Sequence, residues 1–178
     1  QEVLKSTGTK RASVVAIDPQ SGSIRALVRL PSYDSNVFAR GIGTEAYQAL
    51  AEDPNQPLFP RAIAGEYPSG SIFKPFVAYA ALVEGIITAK TTFISTGGLS
   101  IGPWFFQDWR AGGHGATNVY RALSESVNTF FYIIGGGYES TTGLGVERIT
   151  DYARRFGFGE TTGVDLPGEA DGFLPSKE

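Results

Sequence analysis

A helix that is apolar almost all the way round must be covered by the rest of its chain, and residues 71–85 spell one. Ile72, Phe76, Tyr79, Ala80 and Val83 recur at helical spacing. Little polar surface separates them, so the segment belongs at the centre of a domain, with its aromatic side chains in the core. Pro75 stands in the first turn, where its missing N–H costs little, and Gly85 ends the helix. A glycine-containing turn, Glu66-Tyr67-Pro68-Ser69-Gly70, leads into it, and at its mouth stand Ser71 and Lys74. Residues three apart share a helical face, so the Lys74 amine can sit near the Ser71 hydroxyl. Serine is a weak nucleophile until a nearby base activates it. An S-x-x-K pair supplies that base without a histidine, and a helix N-terminus adds positive potential and free N–H groups. Taken alone, the same pair equally describes an N-cap serine beside a solvated lysine, so the rest of the chain has to decide.

The chain has 178 residues, 42% of them hydrophobic and 19% charged, which describes a globular chain with a core of its own and not a disordered one. A net charge of −3 argues against a broad nucleic-acid surface. The absence of cysteine removes disulfides, thiolate catalysis and cysteine-based zinc sites. No run of 18 apolar residues and no signal peptide opens or interrupts the sequence, so the chain as given reads as soluble, with room for an anchor outside it.

In chain order, Ala12–Ile17 reads as a strand, Asp18-Pro19-Gln20-Ser21-Gly22 as a turn, and 23–28 as the return strand with Ile24, Ala26 and Val28 on one face. Residues 31–70 read mostly as loop, with a short helix from Thr44 to about Glu52 that takes Thr44 as its N-cap. Residues 86–117 read as a second loop region. It holds Trp104, Phe105, Phe106 and Trp109, then Asp108 and the single histidine, His114, between two glycines. One histidine and no cysteine make a poor metal set, so His114 reads as structural. A Ser-His-Asp triad through it stays open, although no G-x-S-x-G elbow accompanies it. Asn118 is suited to cap a helix carrying Val119, Ala122 and Leu123. Polar Ser124-Glu125-Ser126-Val127-Asn128-Thr129 follows, then the apolar run Phe130–Ile134 and three glycines. A polar break between two apolar helices suits a cleft. Residues 145–156 form an amphipathic helix with Val146, Ile149, Tyr152, Ala153 and Phe156 as its buried stripe, an Asp151–Arg155 pair, Arg154 and Arg155 on its solvated face, and Gly157 beyond its end.

Ser71-Ile72-Phe73-Lys74 and, 52 residues after the lysine, Ser126-Val127-Asn128 match two of the three signatures of penicillin-binding proteins and serine β-lactamases. The flanks sharpen the match. Val14–Pro19 with Gly22, Pro31-Ser32-Tyr33-Asp34 with Asn36, Asp53-Pro54-Asn55 with Pro57, and Gly65–Ser71 resemble the opening of a class B transpeptidase domain. Gly113-His114-Gly115 and Ser126–Tyr132 are most similar to its elongation-type branch, the penicillin-binding protein 2 group. The resemblance implies an α/β (α+β) transpeptidase fold, a central antiparallel sheet flanked by helices, present here as one partial domain over 1–178 in which the helical part and an N-terminal hairpin dominate. It implies a D,D-transpeptidase that cross-links peptidoglycan stem peptides. Ser71 would attack the carbonyl between two terminal D-alanines, with Lys74 as its base. Ser126 would relay a proton to the leaving nitrogen, and Asn128 would hold the Lys74 amine or the substrate amide. The Ser71 N–H would serve the oxyanion. No cofactor, metal or nucleic acid is implied. Stem peptides, β-lactam antibiotics and membrane proteins of the elongation machinery are the implied partners, and the extracytoplasmic face of the bacterial cytoplasmic membrane is the implied location, reached by an anchor outside this chain.

Three departures qualify the resemblance. The family's third signature, K-T-G or K-S-G, follows the other two, whereas Lys90-Thr91-Thr92 lies between them and lacks the glycine. The strand that carries that signature, and the remaining sheet strands, are expected C-terminal to Glu178, and the piece as given is expected to be inactive without them. Ser69 stands where the family often has proline, but no lysine follows it at i+3, which leaves Ser71 as the nucleophile. Some relatives carry a metal near the Gly-His-Gly stretch, and Asp108 with His114 supply too few ligands for it. A β-lactamase would share the nucleophile but needs a water-positioning glutamate on an E-x-x-L-N loop, and no glutamate here is followed by asparagine four residues on. A penicillin-sensing or inactive piece of the same fold is the further alternative.

Overall fold

The structure, a computed structural model, describes residues 6–177. The chain divides into two compact units, one formed by the chain up to Glu66 with Gly163–Ala170, the other by Tyr67–Thr162 with the segment from Asp171 onward.

In the first unit β1 (Ala12–Ile17) and β2 (Ile24–Leu30) pair antiparallel, Val14 opposite Val28 and Ala16 opposite Ala26. The turn is built on Asp18. Its main chain accepts from Gly22 and donates to Ser23, its Oδ1 accepts from the Gln20 N–H, and its Oδ2 pairs with Arg25 at 2.8 Å. The Arg25 hydrogen bond, helped by the Gln20 amide, holds the Asp18 carboxyl below its ordinary range. β2 runs two residues past the alternating stretch, to Leu30. Arg29 there donates to the Phe59 carbonyl at 3.1 Å and covers the Tyr33 ring. Three short helices follow, α1 (Asn36–Ala39), α2 (Thr44–Ala51) and α3 (Arg61–Ala64). Thr44 is not the cap of α2: Gly43 holds that position and no side chain bonds there. The loop before α3 wraps a buried Arg61, whose guanidinium donates to the carbonyls of Asn55 and Gln56.

In the second unit a 3-10 turn (Gly70–Phe73) runs into α4 (Lys74–Val83) with Pro75 in its first turn. Then come β3 (Phe93–Ser95), β4 (Gly98–Ile101), β5 (Trp104–Gln107), β6 (Gly115–Thr117), α5 (Val119–Ser124), α6 (Asn128–Gly136) and α7 (Gly145–Arg155). The core joins Ala78, Ala80 and Ala81 of α4 to Val119 and Ala122, to Val127, to Phe130, Phe131 and Ile134 of α6, and to Leu144 and Tyr152. Alanines on α4 let the larger residues of its neighbours close against its backbone. Burial of these apolar side chains, about 1.5–3 kcal/mol for each large one, is the main force that assembles the unit. Phe73, Phe76 and Phe158 stack edge to face beside it.

Three expectations are corrected. α4 is not covered all round: Tyr79 is 49% and Val83 55% exposed, because only its alanine face packs on α6 and α7. Phe156 is likewise exposed, although its ring meets Phe76 and Tyr79. The region 86–117 is not loop. It holds two antiparallel pairs, β3 with β6 and β4 with β5, whose three- and four-residue strands are too short to show an alternating pattern. Asn118 does cap α5, its side chain accepting from the Arg121 N–H at 3.0 Å. Among the described residues no helix is long and apolar enough to cross a membrane.

Gly113 explains why glycine precedes His114. Its φ is +70°, and a Cβ there would lie 2.3 Å from the Ser95 carbonyl oxygen. Gly113→Ala should therefore cost on the order of 2–4 kcal/mol, the sum of left-handed strain and overpacking against backbone, read as a lower Tm of the full-length protein.

Candidate active site

The polar break between α5 and α6 meets the start of α4, and there the two signature stretches come together. Lys74, the first residue of α4, is partly buried over the Phe131 ring, 5.3 Å from its centroid. Its ammonium has three N–H donors, and three oxygens surround it: Asn128 Oδ1 at 2.6 Å, the Ser126 carbonyl at 2.8 Å and Ser126 Oγ at 3.0 Å. Ser126 Oγ in turn donates to Ser71 Oγ at 2.9 Å. Lys74 and Ser71 are thus joined through Ser126, and not by the direct contact that their i,i+3 spacing suggests. Burial pushes the Lys74 pKa down, the Asp108 charge opposes it, and the balance lies below the ordinary lysine value. Ser71 is exposed and so open to an incoming molecule. Asn128 spans two partners, its Nδ2 donating to the Gln107 carbonyl at 3.2 Å while Oδ1 faces Lys74.

Ser126 sits in an unusual backbone state, with φ +54°. α5 ends there in a Schellman closure: the Val127 N–H reaches the Ala122 carbonyl at 3.0 Å, the Ser126 N–H reaches Leu123 at 3.4 Å, and buried Val127 lies beside buried Ala122 in the core. Ser126 occupies the left-handed position of that motif, where glycine is the common choice. A serine there bears the steric cost in return for a hydroxyl pointed at both Lys74 and Ser71.

Two buried polar groups flank the break. Asp108 accepts from Ser95 Oγ at 2.7 Å, from the Thr129 N–H at 2.9 Å and from Thr129 Oγ1. Burial raises its pKa, but the Thr129 and Ser95 hydrogen bonds outweigh it and hold the carboxyl below its ordinary value. On the other side the His114 ring is fully enclosed, its Nδ1 2.7 Å from Glu125 Oε2, its Nε2 without a partner, and its face against Trp109. With an anionic Glu125 as partner, the Nδ1–H donates. Arg121 donates to Glu125 at 2.7 Å and, with His114, brings the Glu125 carboxyl down to about 2. His114 therefore braces the residue before Ser126. It joins no serine through its ring, so the triad reading fails. Among the described residues no group of three or more His, Cys, Asp or Glu is placed to hold a metal.

All four residues expected from the sequence, Ser71, Lys74, Ser126 and Asn128, meet in this one network. The bracing by Gln107, Asp108, Thr129 and Glu125 is not legible in the motifs. One signal was available, a non-glycine residue directly after a short helix, at the place where a left-handed cap is usual.

Residues 12–178 match the family model described as the penicillin binding protein transpeptidase domain. The peptidoglycan D,D-transpeptidase MrdA of Escherichia coli K12 is 43% identical over 176 residues, covering 94% of this chain and 26% of that protein. The chain thus spans about a quarter of the length of the curated relatives it matches. Among solved structures, Pseudomonas aeruginosa PBP2 in complex with WCK 5153 aligns with a TM-score of 0.83 at 34% identity, over 97% of this chain and 38% of that one. Helicobacter pylori PBP2, in its complex with MreC, aligns at 0.85 and 34% identity, over 98% and 32%.

Two outcomes follow for the break. Ser126→Gly and Ser126→Ala both remove the hydroxyl, but only alanine keeps the left-handed strain, so the glycine variant should be the more stable by about 1 kcal/mol in chemical denaturation. Glu125 has a folded pKa of about 2 against an ordinary 4.5, so its stabilisation is complete above the higher value and is lost as pH falls through the lower. Glu125→Gln should flatten the Tm decline across that acid window.

Proposed function

The chain belongs to the penicillin-binding protein transpeptidase domain family, and on that premise we propose that it is part of a peptidoglycan D,D-transpeptidase of the cell-wall elongation type. The observation that carries this reading is the hydrogen-bonded row Lys74–Ser126–Ser71, with Asn128 on the lysine. Ser71 Oγ attacks the carbonyl carbon between the two terminal D-alanines of a stem peptide. Neutral Lys74 takes a proton from Ser126 Oγ as Ser126 takes one from Ser71, so the nucleophile is activated without a histidine. The lowered lysine pKa enlarges the neutral fraction that this step requires. The Ser71 backbone N–H serves the developing oxyanion. The C–N bond then breaks, the leaving D-alanine nitrogen receives a proton through Ser126, and an acyl-enzyme on Ser71 remains for an amine from a neighbouring stem peptide.

Both compact units belong to one transpeptidase domain in this reading, since the family match runs across both. Stem peptides are the substrates, and β-lactams acylate the same serine. A membrane protein of the elongation machinery is the fitting partner class, by analogy with the H. pylori relative solved with MreC. Peptidoglycan chemistry locates the domain on the extracytoplasmic face of the bacterial membrane.

The test uses the full-length protein and a fluorescent penicillin, with intact mass and peptide mapping. A single adduct on Ser71 is expected, absent in Ser71→Ala and formed about 100-fold or more slowly in Lys74→Arg, which keeps the charge and loses the base. Nitrocefin should give one stoichiometric burst. An adduct on another residue, or steady nitrocefin turnover, would overturn the assignment.

A further inference from the structure

We propose that Asp108 is a positioning residue for the acylation step: it caps α6 from a distant part of the chain and, with the adjoining Gln107 carbonyl, fixes how Asn128 meets Lys74. The proposal rests on the acylation reading given above. α6 starts without a cap of its own, because Val127 stands at the N-cap and no side chain bonds there. The Asp108 carboxylate fills that role from 21 residues away, accepting both the N–H and the hydroxyl of Thr129. Two consecutive residues of one segment thereby hold two consecutive residues of another. Gln107 takes the Asn128 Nδ2 and Asp108 takes Thr129. With Nδ2 committed to a carbonyl, the amide of Asn128 has only its oxygen left for Lys74, which is the orientation observed. Asp108 is itself held in place, because its other oxygen partner is Ser95, whose hydroxyl also accepts the His114 N–H at 2.9 Å.

The chemistry of the pocket selects a carboxylate. Four groups donate to Asp108: the Ser95 hydroxyl, the Thr129 hydroxyl, and the N–H groups of Thr129 and Asn128. An asparagine could keep its oxygen on the Thr129 N–H only by turning its NH2 on the two hydroxyls, which must then reverse to accept although Ser95 Oγ already accepts from His114. It also removes the negative charge at the start of α6, so that start is held less firmly and shifts. A displacement of that kind, remote from the bond being made, is enough to cost a reaction about 100-fold.

The experiment separates binding from acylation in the full-length protein, with a chromogenic or fluorescent penicillin under stopped flow and at a temperature well below each variant's Tm. Asp108→Asn is expected to slow the first-order acylation step about 100-fold while the dissociation constant of the pre-covalent complex changes less than about 3-fold. Thr129→Val, which removes only the hydroxyl, is expected to slow acylation about 10-fold, and Thr129→Ser, which restores it, to recover within about 2-fold. A purely structural role would lower Tm in all three and leave the acylation rate of folded protein unchanged, and that result overturns the proposal. If Asp108→Asn does not fold, the Thr129 pair decides: equal acylation rates for valine and serine overturn it. Absence of any adduct on Ser71 in the unsubstituted protein would overturn the acylation reading and this proposal together, whereas normal acylation with indifferent variants overturns this proposal alone.

Discussion

A partly buried ammonium needs one acceptor for each of its three N–H groups, and the second unit is arranged around meeting that need at Lys74. Leaving any of the three unmet would cost more than a typical hydrogen bond contributes, because the donor is charged and partly desolvated. The Ser126 carbonyl and Ser126 Oγ come from the break between α5 and α6, and Asn128 Oδ1 from the first residue of α6. The break is therefore tied to the start of α4 by the lysine, just as the alanines of α4 tie it to α6 by packing. Function and stability draw on the same contacts here. A change that loosens the break exposes the lysine, and a change to the lysine leaves a carbonyl and an amide oxygen without their donor.

The cost of this arrangement is concentrated in one residue. The backbone at Ser126 adopts a conformation that favours glycine, in a helix closure whose apolar partners, Ala122 and Val127, are fully buried. Residues held in such states persist only where their surroundings over-determine them. The surroundings do so on both sides. Glu125, gripped by Arg121 and His114, fixes the residue before, and Asp108 with Gln107 fixes the two residues that follow Val127. The single histidine is absorbed into this bracing, which accounts for its complete burial without any part for its ring at the serines.

The sequence made some of this legible and hid the rest for identifiable reasons. Helices carried by periodic apolar residues, α4 and α7, and the hairpin with its Asp-Pro turn were readable because local chemistry alone dictates them. The S-x-x-K and S-x-N strings gave the four network residues, since two motifs 52 positions apart fix identity without needing geometry. What the strings could not give was connectivity. The spacing on a helix suggested a direct Ser71–Lys74 contact, whereas competition from three better-placed oxygens draws the amine to Ser126 and Asn128. The strands of 93–117 escaped because they are set by Gly97, Gly98 and Gly113 packing against neighbouring backbone, which leaves no periodic trace. The exposure of Tyr79 and Val83 escaped because composition tells how apolar a helix is, and not how many of its sides find a neighbour within this chain.

The link between Lys74 and Ser71 consists of a hydroxyl, and a hydroxyl has no fixed polarity. Rotation about one C–O bond at Ser126 and another at Ser71 reverses which oxygen gives and which receives, with no heavy atom displaced. An imidazole in the same place would have to exchange protons between two nitrogens on opposite edges of a ring to achieve this. The row of oxygens is in that sense a two-way conductor. Its heavy-atom geometry is already correct for a charge moving towards the lysine and for one moving away from it, and the surrounding protein need not rearrange between the two directions.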